Sequence, residues 1–110
     1  MFDQLKSLSQ LGPMMAKAKE MQAKMQEVQE RLPHLRATGS SGGSLVTVTA
    51  NGLMEIVEIA YATSAPLTDT ELLADLTLAA VNQALKNVKE IVQQEMQGVT
   101  GGLDLPGLLP

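Results

Sequence analysis

Residues 14–32, MMAKAKEMQAKMQEVQERL, place Met14, Ala18, Met21, Met25, Val28 and Leu32 at alternating steps of four and three. That spacing is a heptad seam: on a helix these six residues fall in one line, too apolar to face water along its whole length. The helix must therefore lie against another helix, from the same chain or from a second copy. Pro33 ends it, because a proline inside a helix lacks the donor and clashes with the preceding turn. Gly12-Pro13 is read as its start, since Pro is accommodated in a first turn. Before that point Phe2, Leu5, Leu8 and Leu11 stand three apart and predict a short lead-in over residues 1–12.

Opposite the seam, Lys17, Lys24 and Arg31 recur every seven residues, and Glu20 and Glu27 stand four residues ahead of Lys24 and Arg31. This order favours ion pairs along the helix surface, worth about 0.2 to 0.5 kcal/mol each. The stripe is read in two ways: a solvated face that stabilises its own helix, or a cationic ridge turned toward phosphates.

Downstream the period changes from helical to alternating. Val46, Val48 and Ala50 alternate with Leu45, Thr47 and Thr49, as a half-buried strand requires. Asn51-Gly52 follows, the pair favoured in a tight type I′ hairpin turn, and Leu53 to Tyr61 is the return strand. An earlier strand over Leu35 to Thr38, joined through Gly39 to Ser44, completes a three-stranded antiparallel meander. The return strand is apolar on both faces, which predicts cover on both sides of the sheet. Thr68 and Glu71 have the spacing of a capping box and open a second long helix running to about Gln97, with Gly98 as its stop. Its first half (Leu72, Leu73, Leu76, Leu78, Ala79, Ala80, Val81) is apolar around most of its circumference and reads as buried on several sides. Leu76 and Ala80 are assigned to the same packed seam as the first helix. The second half adds Lys86 and Lys89 among polar residues and reads as a projecting arm. Residues 98–110, GVTGGLDLPGLLP, read as a flexible Gly/Leu/Pro tail whose four leucines suit docking on a groove.

Composition narrows the function classes. The chain has 110 residues, 45% of them hydrophobic, enough for one domain with a modest core. With no Trp, and Phe2 and Tyr61 as the sole aromatics, there is no platform for stacking unpaired bases. A formal charge of -4 confines nucleic-acid binding to a local basic stripe. No cysteine is present, so neither disulfides nor thiolate chemistry arise. His34, the lone histidine, has no ligating neighbours in sequence. Ser40, Ser41 and Ser44 lie in TGSSGG, which matches no nucleophile elbow or phosphate loop, and Glu55 and Glu58 point to opposite faces of a strand. The reading is non-enzymatic, with no cofactor, metal or small-molecule substrate. Without a signal segment or an apolar run of about 20 residues, it is also cytosolic and without a membrane partner.

The segment order resembles the YbaB/EbfC family of bacterial nucleoid-associated proteins. The resemblance is carried by AKAKEMQAKMQEVQERL, by ATGSSGGSLVTVTANG leading into a VEI strand, by DTELLADLTLAAVNQALKNV and by the Gly/Leu/Pro tail. It runs from about Met14 to Pro110, and its most specific element is Thr38 to Gly52. It implies an α+β fold of order α-β-β-β-α over residues 1–97, assembled as a tweezer-like homodimer. It also implies binding of double-stranded DNA with low sequence preference, at the nucleoid, with effects on nucleoid organisation and gene expression. The residues assigned to that contact are Lys17, Lys24, Arg31, Lys86 and Lys89. The alternative is a coiled-coil-like protein–protein module, with the Met-rich seam or the leucine tail as its binding surface.

Overall fold

The computed structural model describes residues 2–100, with side chains over 8–99. The order is α1 (Phe2–Arg31), a 3-10 turn (Leu32–His34), β1 (Arg36–Ser41), β2 (Val46–Asn51), β3 (Ile56–Tyr61) and α2 (Thr70–Thr100). The strands form an antiparallel sheet in the order β1-β2-β3. This is the α-β-β-β-α arrangement that the alternating and helical periods predict.

One layer covers the sheet. Val46, Val48 and Ala50 of β2 are fully buried against Ala80, Ala84 and Val88 of α2, with Ala37 of β1 beside them. Small residues let the helix sit low, and Gly39 is the point of closest approach. A Cβ at Gly39 would overlap the backbone of Ala80, Gln83 and Ala84. The same helix closes the outer edge of β1: Ser40 N–H donates to Gln83 Oε1 (2.6 Å), and Asn87 Nδ2 donates to the Thr38 carbonyl (2.7 Å). An edge strand whose groups are satisfied in this way no longer offers a template for further pairing.

The second cover expected for the sheet is not present within the chain. α2 lies over β1 and β2, leaving Val57, Ile59 and Tyr61 of β3 44–46% exposed. α2 is buried along one side through both halves: Ala80 of the first is in the core with Leu73, Leu76 and Val81 packed against it, and the rest of its circumference is open. Leu72 and Leu78, in the half expected to be enclosed, are 45% and 60% exposed, whereas Val88 of the expected projecting arm and Val99 of the expected tail are buried.

Several boundaries shift, each for a local reason. α1 runs through Gly12-Pro13 to Phe2 instead of starting at Pro13; residues 8–20 are exposed on all sides, so water reaches the backbone around the proline. β1 continues past Thr38 to Ser41, held by the Gln83 bond and by Ser41 Oγ donating to the Leu76 carbonyl. The turn after β2 is not a two-residue type I′ turn: Gly52 lacks positive φ and Met54 takes the left-handed conformation instead. Asn51 organises that loop, its Oδ1 accepting from Leu53 N–H and Glu55 N–H. Gly52 is needed for another reason, because its N–H donates to the Leu32 carbonyl at 2.9 Å and a Cβ there would meet the same atom. At α2 the cap is Asp69 and not Thr68, with its Oδ1 accepting from Leu72 N–H at 3.1 Å. Asp and Thr both serve as N-caps, Asp somewhat better. The helix passes Gly98 because burying Val99 (5% exposed) outweighs the roughly 1 kcal/mol penalty of a helical glycine. Residues 101–110 of the expected flexible tail lie outside the described residues.

Candidate nucleic-acid interface

α1 has two regimes along its length. Near the sheet, Val28 is 2% exposed and Met21, Met25 and Leu32 are half-buried, so this part of the seam has its helical partner in the C-terminal half of α2. Farther out, Met14 and Ala18 of the same seam are exposed, Met14 at 66%, as are Leu8, Leu11 and Met15. The seam is thus half occupied, and α1 projects past the end of α2 as an isolated arm, giving a molecule 80 × 24 × 16 Å in extent. Leu76 and Ala80 do not join this seam; they face the sheet.

The basic residues follow the arm. Lys17, Lys24 and Arg31 are all exposed along one side of α1. At about 100° per residue they flank the seam instead of opposing it, and at the root this brings Arg31 within reach of α2. Of the two ion pairs expected within the helix, Lys24–Glu20 is present at 3.4 Å. Arg31 pairs not with Glu27 but with Glu95 of α2, at 2.6 Å. Lys86 and Lys89 are exposed as well, on the side of α2 turned away from the buried Ala84 and Val88. Sequence reasoning passed over Lys19, exposed on the arm between Lys17 and Lys24, because it lies two residues off the heptad period. It also passed over Arg36, which follows the 3-10 turn and donates to the carbonyls of Pro33 and Leu35.

Charge is segregated along the chain. Residues 37–85, which form the sheet and the first half of α2, contain no Lys or Arg and five acidic residues: Glu55, Glu58, Asp69, Glu71 and Asp75. The sheet end of the molecule therefore repels a polyanion, while every basic residue is on α1, its junction with β1, or the later half of α2. Among the described residues no cluster of His, Asp and Glu has the makings of a metal site, and no helix is long and apolar enough to cross a membrane. One open groove of about 500 Å³ runs between β3 and the start of α2, lined by Tyr61, Leu73, Ala74, Thr77, Leu78 and Val81. Its walls are apolar apart from the hydroxyls of Tyr61, Thr70 and Thr77, and the Thr77 hydroxyl already donates to the Leu73 carbonyl.

Comparison with known proteins bears on the fold and the family. The model of the YbaB/EbfC DNA-binding family matches residues 7–103. A nucleoid-associated protein of Caldanaerobacter subterraneus subsp. tengcongensis is 43% identical over 99 residues, covering 89% of each chain. One from Granulibacter bethesdensis is 42% identical over 100 residues, covering 90% of this chain and 94% of its own. Among solved structures, that of an uncharacterized protein from Helicobacter pylori superimposes with a TM-score of 0.67 at 29% identity, over 84% of this chain and 96% of that one.

Proposed function

Because the chain belongs to the YbaB/EbfC DNA-binding family, we propose that it is a non-enzymatic homodimer that grips duplex DNA by the phosphate backbone, with little sequence preference. Lys17, Lys24 and Arg31 of α1 and Lys86 and Lys89 of α2 make the contact. The single observation that carries this reading is the distribution of the cations: every Lys and Arg lies on α1, its junction with β1 or the later half of α2, and none lies in residues 37–85. A cation on a long exposed helix meets phosphates without reading bases, so it positions DNA without selecting it. The names of the relatives support a place at the nucleoid; binding of this kind there would affect DNA organisation and gene expression. The test is a gel-shift series on unrelated duplexes of equal length: equal midpoints are expected, and a strong preference for one sequence contradicts backbone recognition.

The dimer is inferred from the open β3 margin of the face on which α2 packs. Ile59 and Tyr61 share the face of Val48 and Val46, their register partners, yet remain exposed, as do Leu72 and Leu78 of α2, and Tyr61 and Leu78 line the groove. A second copy seated there supplies the missing cover and leaves both arms projecting like the limbs of tweezers. The substitutions Ile59→Glu and Leu78→Glu place carboxylates on this surface without touching the buried core. They are expected to convert a dimer into a folded monomer by sedimentation at micromolar concentration; an unchanged dimer mass places the interface elsewhere.

The Arg31–Glu95 pair tempers binding, because the guanidinium nearest α2 already has a carboxylate. An exposed pair of this kind contributes about 0.2 to 1 kcal/mol to stability, so its loss is tolerated. The Glu95→Gln variant frees Arg31 for phosphate and is expected to raise DNA affinity about two- to fivefold, with a steeper salt dependence. Unchanged affinity removes Arg31 from the interface.

The protein–protein reading is favoured by one observation, the exposed apolar stripe of Leu8, Leu11, Met14 and Met15 on the outer arm.

A further inference from the structure

The loop between β2 and β3 is built more firmly than a reversal of the chain requires. Asn51 Oδ1 accepts from Leu53 N–H (2.9 Å) and Glu55 N–H (3.1 Å), Asn51 N–H donates to the Glu55 carbonyl (2.9 Å), and Asn51 Nδ2 donates to the Glu55 carboxylate (3.0 Å). The buried Asn51 thus fixes the loop from within. What the loop presents is the N–H of Gly52, which donates to the Leu32 carbonyl just past the end of α1 (2.9 Å). Carbonyls that end a helix have no partner inside it; this one is satisfied from across the chain. Gly52 does not have positive φ, so the turn itself admits alanine. Leu32 is what forbids a side chain: a Cβ would stand 2.5 Å from its carbonyl oxygen, 3.0 Å from its Cα and 3.1 Å from its carbonyl carbon. The glycine serves the contact with α1, not the reversal of the chain.

We propose that Gly52 and Leu32 form a latch that sets the direction in which α1 leaves the sheet, which makes Gly52 a positioning residue for the cations of the arm. The latch stands on this geometry alone; its consequence for binding rests on the DNA reading above. Two points define a direction. One is the latch at Leu32, and the other is Val28, 2% exposed beside α2 and about 6 Å up the helix. Residues 8–20 are exposed on all sides, so the direction set at the root is carried outward. The lever is long: about 1 Å sideways at Leu32, the clearance that a Cβ at position 52 lacks, turns α1 around Val28 by about 10°. That turn carries Lys17 about 3 Å and Leu8 about 5 Å. A shift of this size equals the full length of an ammonium–phosphate hydrogen bond. The Arg31–Glu95 pair joins the same root through the ends of two long side chains, which follow a backbone shift and do not fix its direction.

The chain has no cysteine, so spin labels on Ala16→Cys of the arm and Thr38→Cys of β1, both exposed positions, report the direction of α1 in full-length protein diluted with unlabelled chains. One narrow distance distribution is expected. Adding Gly52→Ala is expected to shift its mean, or to broaden it, by about 3 Å. Amide exchange in β1 and β2 is expected to stay unchanged, and DNA affinity to fall about tenfold although every basic residue is retained. Adding Glu95→Gln in its place is expected to leave the distribution as it was. A folded Gly52→Ala protein with the native distribution overturns the latch, as does an equal shift from Glu95→Gln. A displaced arm that holds DNA with native affinity overturns the positioning role. The distances are measured without DNA, so a protein that binds no DNA contradicts the nucleic-acid reading while the distances still decide the latch. If Gly52→Ala does not fold, the Gly52 amide of the unaltered protein decides: exchange slowed at least about 100-fold relative to an unstructured peptide is expected, and exchange near the peptide rate overturns the latch.

Discussion

Gly39→Ala is expected to cause the largest loss of stability of any single methyl added to this protein. The new Cβ meets the backbone of Ala80, Gln83 and Ala84, none of which is the movable end of a side chain. Relief requires α2 to rise from the sheet along its length, opening the contacts of Val46, Val48 and Ala50 with Ala80, Ala84 and Val88. It also pulls Gln83 and Asn87 away from the edge of β1. Overpacking in a close-packed core costs about 1 to 3 kcal/mol, and more where backbone must yield. Against a total stability of about 5 to 15 kcal/mol, such a loss is a large fraction. Urea unfolding followed by circular dichroism is expected to show a midpoint lowered by a molar unit or more. An unchanged midpoint means that α2 does not press on β1 as described. Gly43, with open space around it, gives no such steric effect.

The largest functional effect is expected from reversing the basic flank. Lys17→Glu, Lys24→Glu and Arg31→Glu together change three cations per protomer, six in a dimer, on side chains exposed along the arm. Each phosphate contact contributes one released counterion, and a dimer deprived of six is expected to lose at least about 100-fold in affinity at low salt. Arg31→Glu also sets two carboxylates face to face with Glu95. The pair Lys17→Glu and Lys24→Glu, free of that clash, is therefore the companion variant, expected to keep native melting while losing most of the binding. If the variants stay folded and bind DNA as before, the stripe is a solvated face and the arm serves a protein partner instead.

How much of this was readable in the chain differs by type of feature. Periodicity identified both long helices and all three strands, because Met14 to Leu32 and Leu45 to Ala50 carry unmixed periods of 3.5 and 2. What it missed depended on tertiary contact. Pro13 and Gly98 are breakers by local rules, yet exposure around one and burial of Val99 beside the other keep the helices continuous. Asn51-Gly52 carries the signature of a tight turn. The asparagine is used to tie the loop and the glycine to admit the Leu32 carbonyl. The basic residues of the site were readable as a heptad, but the partner of Arg31 was not, since Glu95 is 64 residues away. The same holds for the uncovered apolar faces: hydrophobicity around β3 and the start of α2 is visible in sequence, while the fact that one chain leaves them open is not.

A dimer of two chains, each with a formal charge of -4, carries -8, so attraction to DNA must come from the local cations and must be salt-sensitive. The affinity of the intact protein for one short duplex of arbitrary sequence, followed by fluorescence anisotropy from about 50 to 300 mM salt, measures this directly. The predicted result is a straight line of log K against log salt with a slope between about -3 and -9, corresponding to roughly four to ten neutralised phosphates. A folded protein that fails to bind at the lowest salt, or whose binding is indifferent to salt, contradicts the basic arm as the DNA-holding element.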